Sequence, residues 1–127
     1  MKTEGIRGKK ILVVDDDPSI LEAITFMLDS EGYEVVTDTG EGVNDCLKKY
    51  SPQLVLLDIM LGSKDGREIA QALKTDKETK KLPIIFISAS STMNAEVAKS
   101  YGVDDFIPKP FEIDDLLKKV AHYVKVS

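Results

Sequence analysis

Short apolar runs alternate along the chain with longer amphipathic stretches. The largely β-branched run Ile11–Val14 predicts a strand and halts at Asp15-Asp16-Asp17-Pro18. Proline there suits the first turn of a helix, where a missing N–H costs no hydrogen bond. Behind it Ile20, Leu21, Ile24, Met27 and Leu28 fall on one helical face, which ends at Gly32. Tyr33–Thr37 reads as a second strand, and Val43, Cys46, Leu47 and Tyr50 line a second helix that Ser51-Pro52 breaks. Gln53–Leu57 is a third strand, apolar from Leu54 on, ending at Asp58; the turn-rich Leu61-Gly62-Ser63-Lys64-Asp65-Gly66 leads to a helix with Ile69 and Leu73 inward. The polar stretch Lys74–Lys81 reads as a loop or frayed helix end. Pro83–Ile87 is a fourth strand, ending at Ser88. A weaker helix follows, with Val97, Ala98 and Tyr101 to bury before Gly102. Asp105–Ile107 is a short fifth strand, and Ile113, Leu116, Leu117, Val120 and Val124 make the last helix strongly amphipathic.

Strands alternating with helices imply an α/β fold, a parallel sheet covered on both faces. Crossovers are right-handed almost without exception, so few topologies remain for a chain this short. The doubly wound order 2-1-3-4-5 is favoured, with ligands outside the carboxyl ends of the strands. After the last helix only Lys125-Val126-Ser127 remains, so one domain is expected.

Composition narrows the function classes. A chain of 127 residues, 43% hydrophobic and 31% charged, suits one ordinary soluble globule with its own core. Its apolar runs are too short to cross a bilayer, and no apolar region follows Met1–Gly8 as in a secretory signal. The single cysteine, Cys46, cannot form an internal disulfide, which agrees with a reducing, cytoplasmic setting. A formal net charge of −5 argues against direct nucleic-acid binding.

The polar residues fall at strand ends. Asp15 and Asp16 close the first strand, Asp58 the third and Ser88 the fourth, while Lys109 follows the fifth. In the favoured order the first and third strands are neighbours, roughly 4.8 Å apart, so the three carboxylates converge. Uncompensated, such a cluster is expensive; a hard divalent cation such as Mg²⁺ resolves it. Asp58 is then a candidate nucleophile toward phosphorus, forming an aspartyl phosphate. The cation, the Lys109 ammonium and the Ser88 hydroxyl are placed to neutralise the phosphoryl oxygens.

Ile11-Leu12-Val13-Val14-Asp15-Asp16-Asp17-Pro18, Leu56-Leu57-Asp58-Ile59-Met60-Leu61, Asp65-Gly66, Ile87-Ser88-Ala89 and Lys109-Pro110-Phe111 together resemble the receiver domains of two-component response regulators, which have the flavodoxin-like or CheY-like (βα)5 fold. The resemblance runs from about Lys9 to Val124 and implies a single receiver domain over residues 1–127. Receivers share the strand order given above, so the order and the resemblance are not independent. The resemblance implies Asp58 as phospho-acceptor, Asp16 as direct metal ligand, Asp15 as a companion acting largely through water, and the Met60 carbonyl as third protein ligand. It implies Ser88 as the switch hydroxyl, Lys109 as the phosphate-binding lysine, Phe106 as the switch aromatic, and a cis Lys109-Pro110 bond. It further implies Mg²⁺, which Mn²⁺ can replace, and a sensor histidine kinase or phosphotransfer protein as donor. The output would be a downstream protein target or onward transfer of phosphate, with room for a phosphorylation-dependent dimer. The switch would have only weak autophosphorylation and autophosphatase chemistry. Two departures stand out. Gly62 replaces the proline of many receivers, which predicts a more mobile loop, and Phe106 lacks the phenol hydroxyl of some relatives.

Blander readings compete. Asp17, Asp65 and Asp104 read as solvated loop residues, with Asp17 capping the first helix as an alternative. Ser88 has a helix cap as its plain alternative, and Phe106 core packing. His122 reads as solvated, and Cys46 as core filler. Asp15-Asp16-Asp17-Pro18-Ser19 also fits the Asp-x-Asp-x-Ser pattern of haloacid-dehalogenase-like phosphatases, but that leaves Asp58 without a role. A receiver fold serving only as a phosphate-independent binding module is the other rival.

Overall fold

The computed structural model describes residues 9–126, with side chains through Val124. Residues 1–8, read above as charged and without an apolar stretch, lie outside the described residues, as does Ser127. The elements run β1 (Lys10–Val14), α1 (Pro18–Ser30), β2 (Glu34–Asp38), α2 (Val43–Tyr50), β3 (Leu54–Asp58), β4 (Met60–Leu61), β5 (Lys64–Asp65), α3 (Gly66–Thr75), β6 (Ile84–Ser88), α4 (Ala95–Ser100), β7 (Asp105–Pro108) and α5 (Ile113–Val126). The main sheet is parallel in the order β2-β1-β3-β6-β7, which is 2-1-3-4-5 among its five strands. β4 and β5 form a separate antiparallel hairpin.

The pleat sorts each central strand into two cores. Successive side chains point to opposite faces, so Ile11, Val13, Leu54, Leu56, Ile85 and Ile87 pack with Ile24 and Leu28 of α1 and Leu116 and Val120 of α5. Leu12, Val14, Val55, Leu57, Ile84 and Phe86 pack on the other face with Val43, Ala70, Leu73 and Ala98. Every residue of β3 and β6 is buried, which explains why these strands read as unbroken apolar runs.

Local chemistry sets the element ends. Pro18 opens α1 behind Asp17, whose carboxylate accepts from the Ser19 N–H at 2.9 Å. Asp65 caps α3 through the Arg67 N–H at 2.9 Å, and Asn94 caps α4 through the Val97 N–H at 2.9 Å. β2 begins one residue later than the pattern implied, because the Tyr33 N–H closes the end of α1 by donating to Leu28 O at 3.2 Å. β6 begins after Pro83, which has no N–H to give. The loop read as turn-rich after Asp58 contains the β4–β5 hairpin. Gly62 sits at its tip with φ +62°, a conformation closed to proline.

Three sequence readings change. Lys74 lies within α3 rather than in a frayed end, its side chain 13% exposed. It donates to Leu82 O at 2.7 Å and Asp104 Oδ2 at 3.1 Å. Asp104 is therefore no simple solvated residue: Oδ2 also accepts from the Ile84 N–H at 2.9 Å, holding the start of β6. Asp65 likewise is a helix cap and is gripped by the Arg67 guanidinium, with Nη2 to Oδ2 at 2.7 Å. No helix among the described residues is long and apolar enough to cross a membrane.

Candidate functional site: an acidic cluster at the sheet's carboxyl edge

Strand register builds the site. Val14 of β1 lies opposite Leu57 of β3, so Asp15 and Asp58, one residue further on, emerge side by side at the carboxyl edge. Asp15, Asp16 and Asp58 each offer a carboxylate oxygen within 4.8 Å of the others. Asp15 is wholly buried and Asp58 is 6% exposed, whereas Asp16 faces solvent. Asp15 Oδ1 accepts from the Asp17 N–H at 2.9 Å, which fixes that carboxylate against the turn into α1.

Lys109 reaches this cluster from just beyond the end of β7, and the Lys109-Pro110 bond that follows it is cis. Its Nζ donates to Asp15 Oδ2 at 2.9 Å and to Asp58 Oδ2 at 3.3 Å. Burial works to lower the Lys109 pKa. The hydrogen bond to Asp15 and the charges of Asp58 and Asp15 outweigh it, so the ammonium is held above its ordinary range. Burial, and then the Asp15 charge, push the Asp58 carboxyl up, against the opposing pull of Lys109 and the Met60 N–H. Three carboxylates face one ammonium, and the donors are hard oxygens. That set fits a hard divalent cation such as Mg²⁺.

The other expected residues divide. Ser88 ends β6 buried, one place beyond Ile87, which lies opposite Asp58. Its Oγ accepts from the Ser90 N–H at 2.9 Å, a turn within the loop; α4 is capped by Asn94, so the helix-cap reading of Ser88 does not hold. The Met60 N–H lies 3.4 Å from Asp58 Oδ1, and the residue is 76% exposed. Phe106 stands apart from the cluster. It is half-buried on β7 against the second core, with Lys119 Nζ 5.4 Å from its ring centroid. Cys46 is half-buried beside the same core, its Sγ 3.9 Å from Asp38 Oδ1, and His122 is exposed, its ring edge-on to Tyr123.

Sequence reasoning assigned no role to three supports of the site. A Cβ at Gly66 would overlap the Asp58 carbonyl oxygen, so only glycine lets α3 start this close to the end of β3. Asp38 Oδ2 accepts from the Gly40 and Gly42 N–H groups at 2.7 and 3.0 Å, and Lys64 Nζ donates to Gly40 O at 3.2 Å. The Asp65-Gly66 pair was visible as a motif; Asp38 and Lys64 bind backbone groups and leave no such trace.

Residues 11–121 match the family model described as "Response regulator receiver domain". The DNA-binding response regulator MtrA of Mycolicibacterium smegmatis is 34% identical over 114 residues, covering 88% of this chain and 49% of that protein. The heme response regulator HssR of Staphylococcus saprophyticus is 31% identical over 116 residues, covering 90% of this chain and 50% of that protein. This chain thus spans about half the length of the curated relatives it matches. Among solved structures, a putative response regulator from Chloroflexus aurantiacus superposes with a TM-score of 0.86 at 29% identity, covering 94% of this chain and 99% of that one. The BeF3-activated N-terminal receiver domain of Klebsiella pneumoniae RstA gives a TM-score of 0.81 at 30% identity, covering 91% and 98%. A family match over nearly the whole chain leaves no place for the phosphatase-like alternative. The chain belongs to the response regulator receiver domain family.

Proposed function

We propose that the chain is a switch that accepts a phosphoryl group on Asp58 from a phosphohistidine of a sensor kinase or phosphotransfer protein. One observation carries the reading: Asp15, Asp16 and Asp58 converge within 4.8 Å, with Lys109 bonded to two of them. An Asp58 carboxylate oxygen attacks phosphorus, the bond from phosphorus to the imidazole nitrogen breaks, and the electron pair leaves with the imidazole. Asp16, Asp58 and the Met60 carbonyl would hold Mg²⁺, with Asp15 acting through water; Mn²⁺ would substitute. When bound, the ion neutralises charge on the phosphoryl oxygens.

This chain's own groups do the rest. Lys109 already touches Asp58, so a short swing away from Asp15 brings its ammonium onto the incoming phosphoryl group. Ser88 uses its oxygen to accept from Ser90, which leaves the hydroxyl proton for a phosphoryl oxygen. The new group adds roughly −1.5 to −2 of charge at the sheet edge. Ser88 and Lys109 then shift, and the face formed by α4, β7 and α5, with Phe106 in it, rearranges. That face would bind a downstream protein or a second copy; onward transfer of the phosphoryl group is the other output.

Beryllofluoride, the reagent that activates the RstA relative, is a direct test. With Mg²⁺ it is expected to shift backbone resonances of Asp58, Ser88 and Lys109 in the wild type and leave Asp58→Asn untouched. Equal response in both proteins would sink the assignment. No response in either would favour a phosphate-independent binding module.

A further inference from the structure

β3 does not run straight into α3. Between them stands the β4–β5 hairpin, with Met60 opposite Asp65 and Leu61 opposite Lys64. Two-residue strands make few bonds, and a hairpin this small does not persist alone. Three attachments hold it. At its base the Gly66 N–H donates to Ile59 O at 2.7 Å. On its inner side the buried Leu61 packs so closely on the β2–α2 turn that a Cβ at Gly40 would lie 3.2 Å from Leu61 Cδ1. From its far strand Lys64 Nζ donates to Gly40 O at 3.2 Å and lies 3.4 Å from Glu41 Oε2.

The turn that receives these contacts is itself tied to the acidic cluster. The Asp38 carboxylate holds the Gly40 and Gly42 N–H groups, and Asp38 O accepts from the Asp15 N–H at 3.1 Å. The contacts close a ring: Asp15 to Asp38, Asp38 to Gly40, Gly40 to Lys64, and through the hairpin to the Met60 N–H beside Asp58.

We propose that Lys64 is a positioning residue for the cation site: its ammonium clasps the β2–α2 turn at Gly40 O and holds the hairpin bearing Met60 against the acidic cluster. The proposal rests on the reading of Asp15, Asp16, Asp58 and the Met60 carbonyl as that site. Groups outside the ligand shell that orient ligands commonly set metal affinity. A lysine that acted only as a nearby positive charge would repel a divalent cation, so its removal would tighten binding. Removal of a clasp weakens binding. The two roles differ in sign.

Lys64→Met keeps the aliphatic stem and deletes the ammonium, while Lys64→Arg keeps a charged donor. Mg²⁺ affinity is measured by calorimetric titration at fixed ionic strength, and amide exchange of residues 60–65 is followed without Mg²⁺. Lys64→Met is expected to weaken Mg²⁺ binding about 3- to 10-fold, the worth of one hydrogen bond, and to speed exchange across the hairpin. Lys64→Arg should recover most of both. Unchanged or tighter Mg²⁺ binding in Lys64→Met, or weaker binding without faster hairpin exchange, overturns the clasp. A wild type that binds no Mg²⁺ instead removes the cation site itself, and the clasp with it.

Discussion

Lys109 stands between two carboxylates, and a third lies within the same cluster, so one positive charge is shared among three negative ones. Lys109→Met is therefore expected to act in opposite directions on two measurements. Mg²⁺ binding tightens, because a repelling charge is gone, while the rate of phosphorylation by a small donor falls about 100-fold or more. Parallel loss of both would contradict the role given to Lys109. Asp58 lies in a place where burial and Asp15 disfavour its charge. Asp58→Asn should raise the metal-free stability by about 1 kcal/mol, with a higher melting temperature, and abolish the stabilisation that Mg²⁺ gives the wild type. Calorimetry of both proteins with and without Mg²⁺ reads this directly. Away from the site, Tyr123 donates to Asp104 O at 3.1 Å and Asp105 Oδ2 at 3.2 Å, and burial with the Asp105 charge pushes its phenol up to about 12. The unfolded chain loses this proton near 10, so the contribution is full below about pH 10 and is lost as pH rises through 12. Tyr123→Phe should remove one late-titrating phenol from the ultraviolet titration. The site acids were legible because they end apolar strands; Asp104 was not, because the fold alone brings the Ile84 N–H and Lys74 to it, whereas Asp38 binds N–H groups of its own turn, at Gly40 and Gly42.

Among elements, the hairpin differs most from what the hydrophobic pattern conveyed. The pattern has no period to show in two-residue strands, so β4 and β5 read only as turn residues. Their geometry depends on Gly66, where a Cβ would strike the Asp58 carbonyl and crowd Ile59. Gly66→Ala is expected to cost about 1 to 3 kcal/mol in denaturant unfolding, and to weaken Mg²⁺ binding, by forcing α3 away from the end of β3. Wild-type stability and Mg²⁺ affinity in that variant would mean the strand end tolerates displacement. α4 is six residues long, with Ala98 its buried residue. Little apolar surface holds it, so its amides should exchange faster than those of α1 and α3, and should slow on beryllofluoride binding. Exchange that beryllofluoride leaves unchanged would remove α4 from the switch. The thin apolar content of this helix was readable in the sequence. The place of Lys74 inside α3 was not, since its partners Leu82 and Asp104 lie across a polar stretch and a strand.

Over the whole molecule, two apolar layers clamp one parallel sheet, and polar residues collect where β1, β3, β6 and β7 end. The continuous apolar runs of β1, β3 and β6 dictated burial of these central strands on both faces, and alternation with helices dictated parallel pairing. Both were legible without structure, and strand order followed from handedness and the family resemblance together. Register was not: the meeting of Asp15, Asp58 and Lys109 depends on Val14 lying opposite Leu57 and on β7 ending level with β6, Pro108 opposite Ser88, with Lys109 the next residue. Acceptance of a phosphoryl group by Asp58 at this edge can be read from intact-protein mass, with peptide mapping, after incubation with acetyl phosphate and Mg²⁺, beside metal-free and Asp58→Asn controls. A metal-dependent gain of one phosphoryl group on the peptide containing Asp58, absent in the variant, is the expected result. Labelling that persists in Asp58→Asn, or no labelling under any condition, would contradict it.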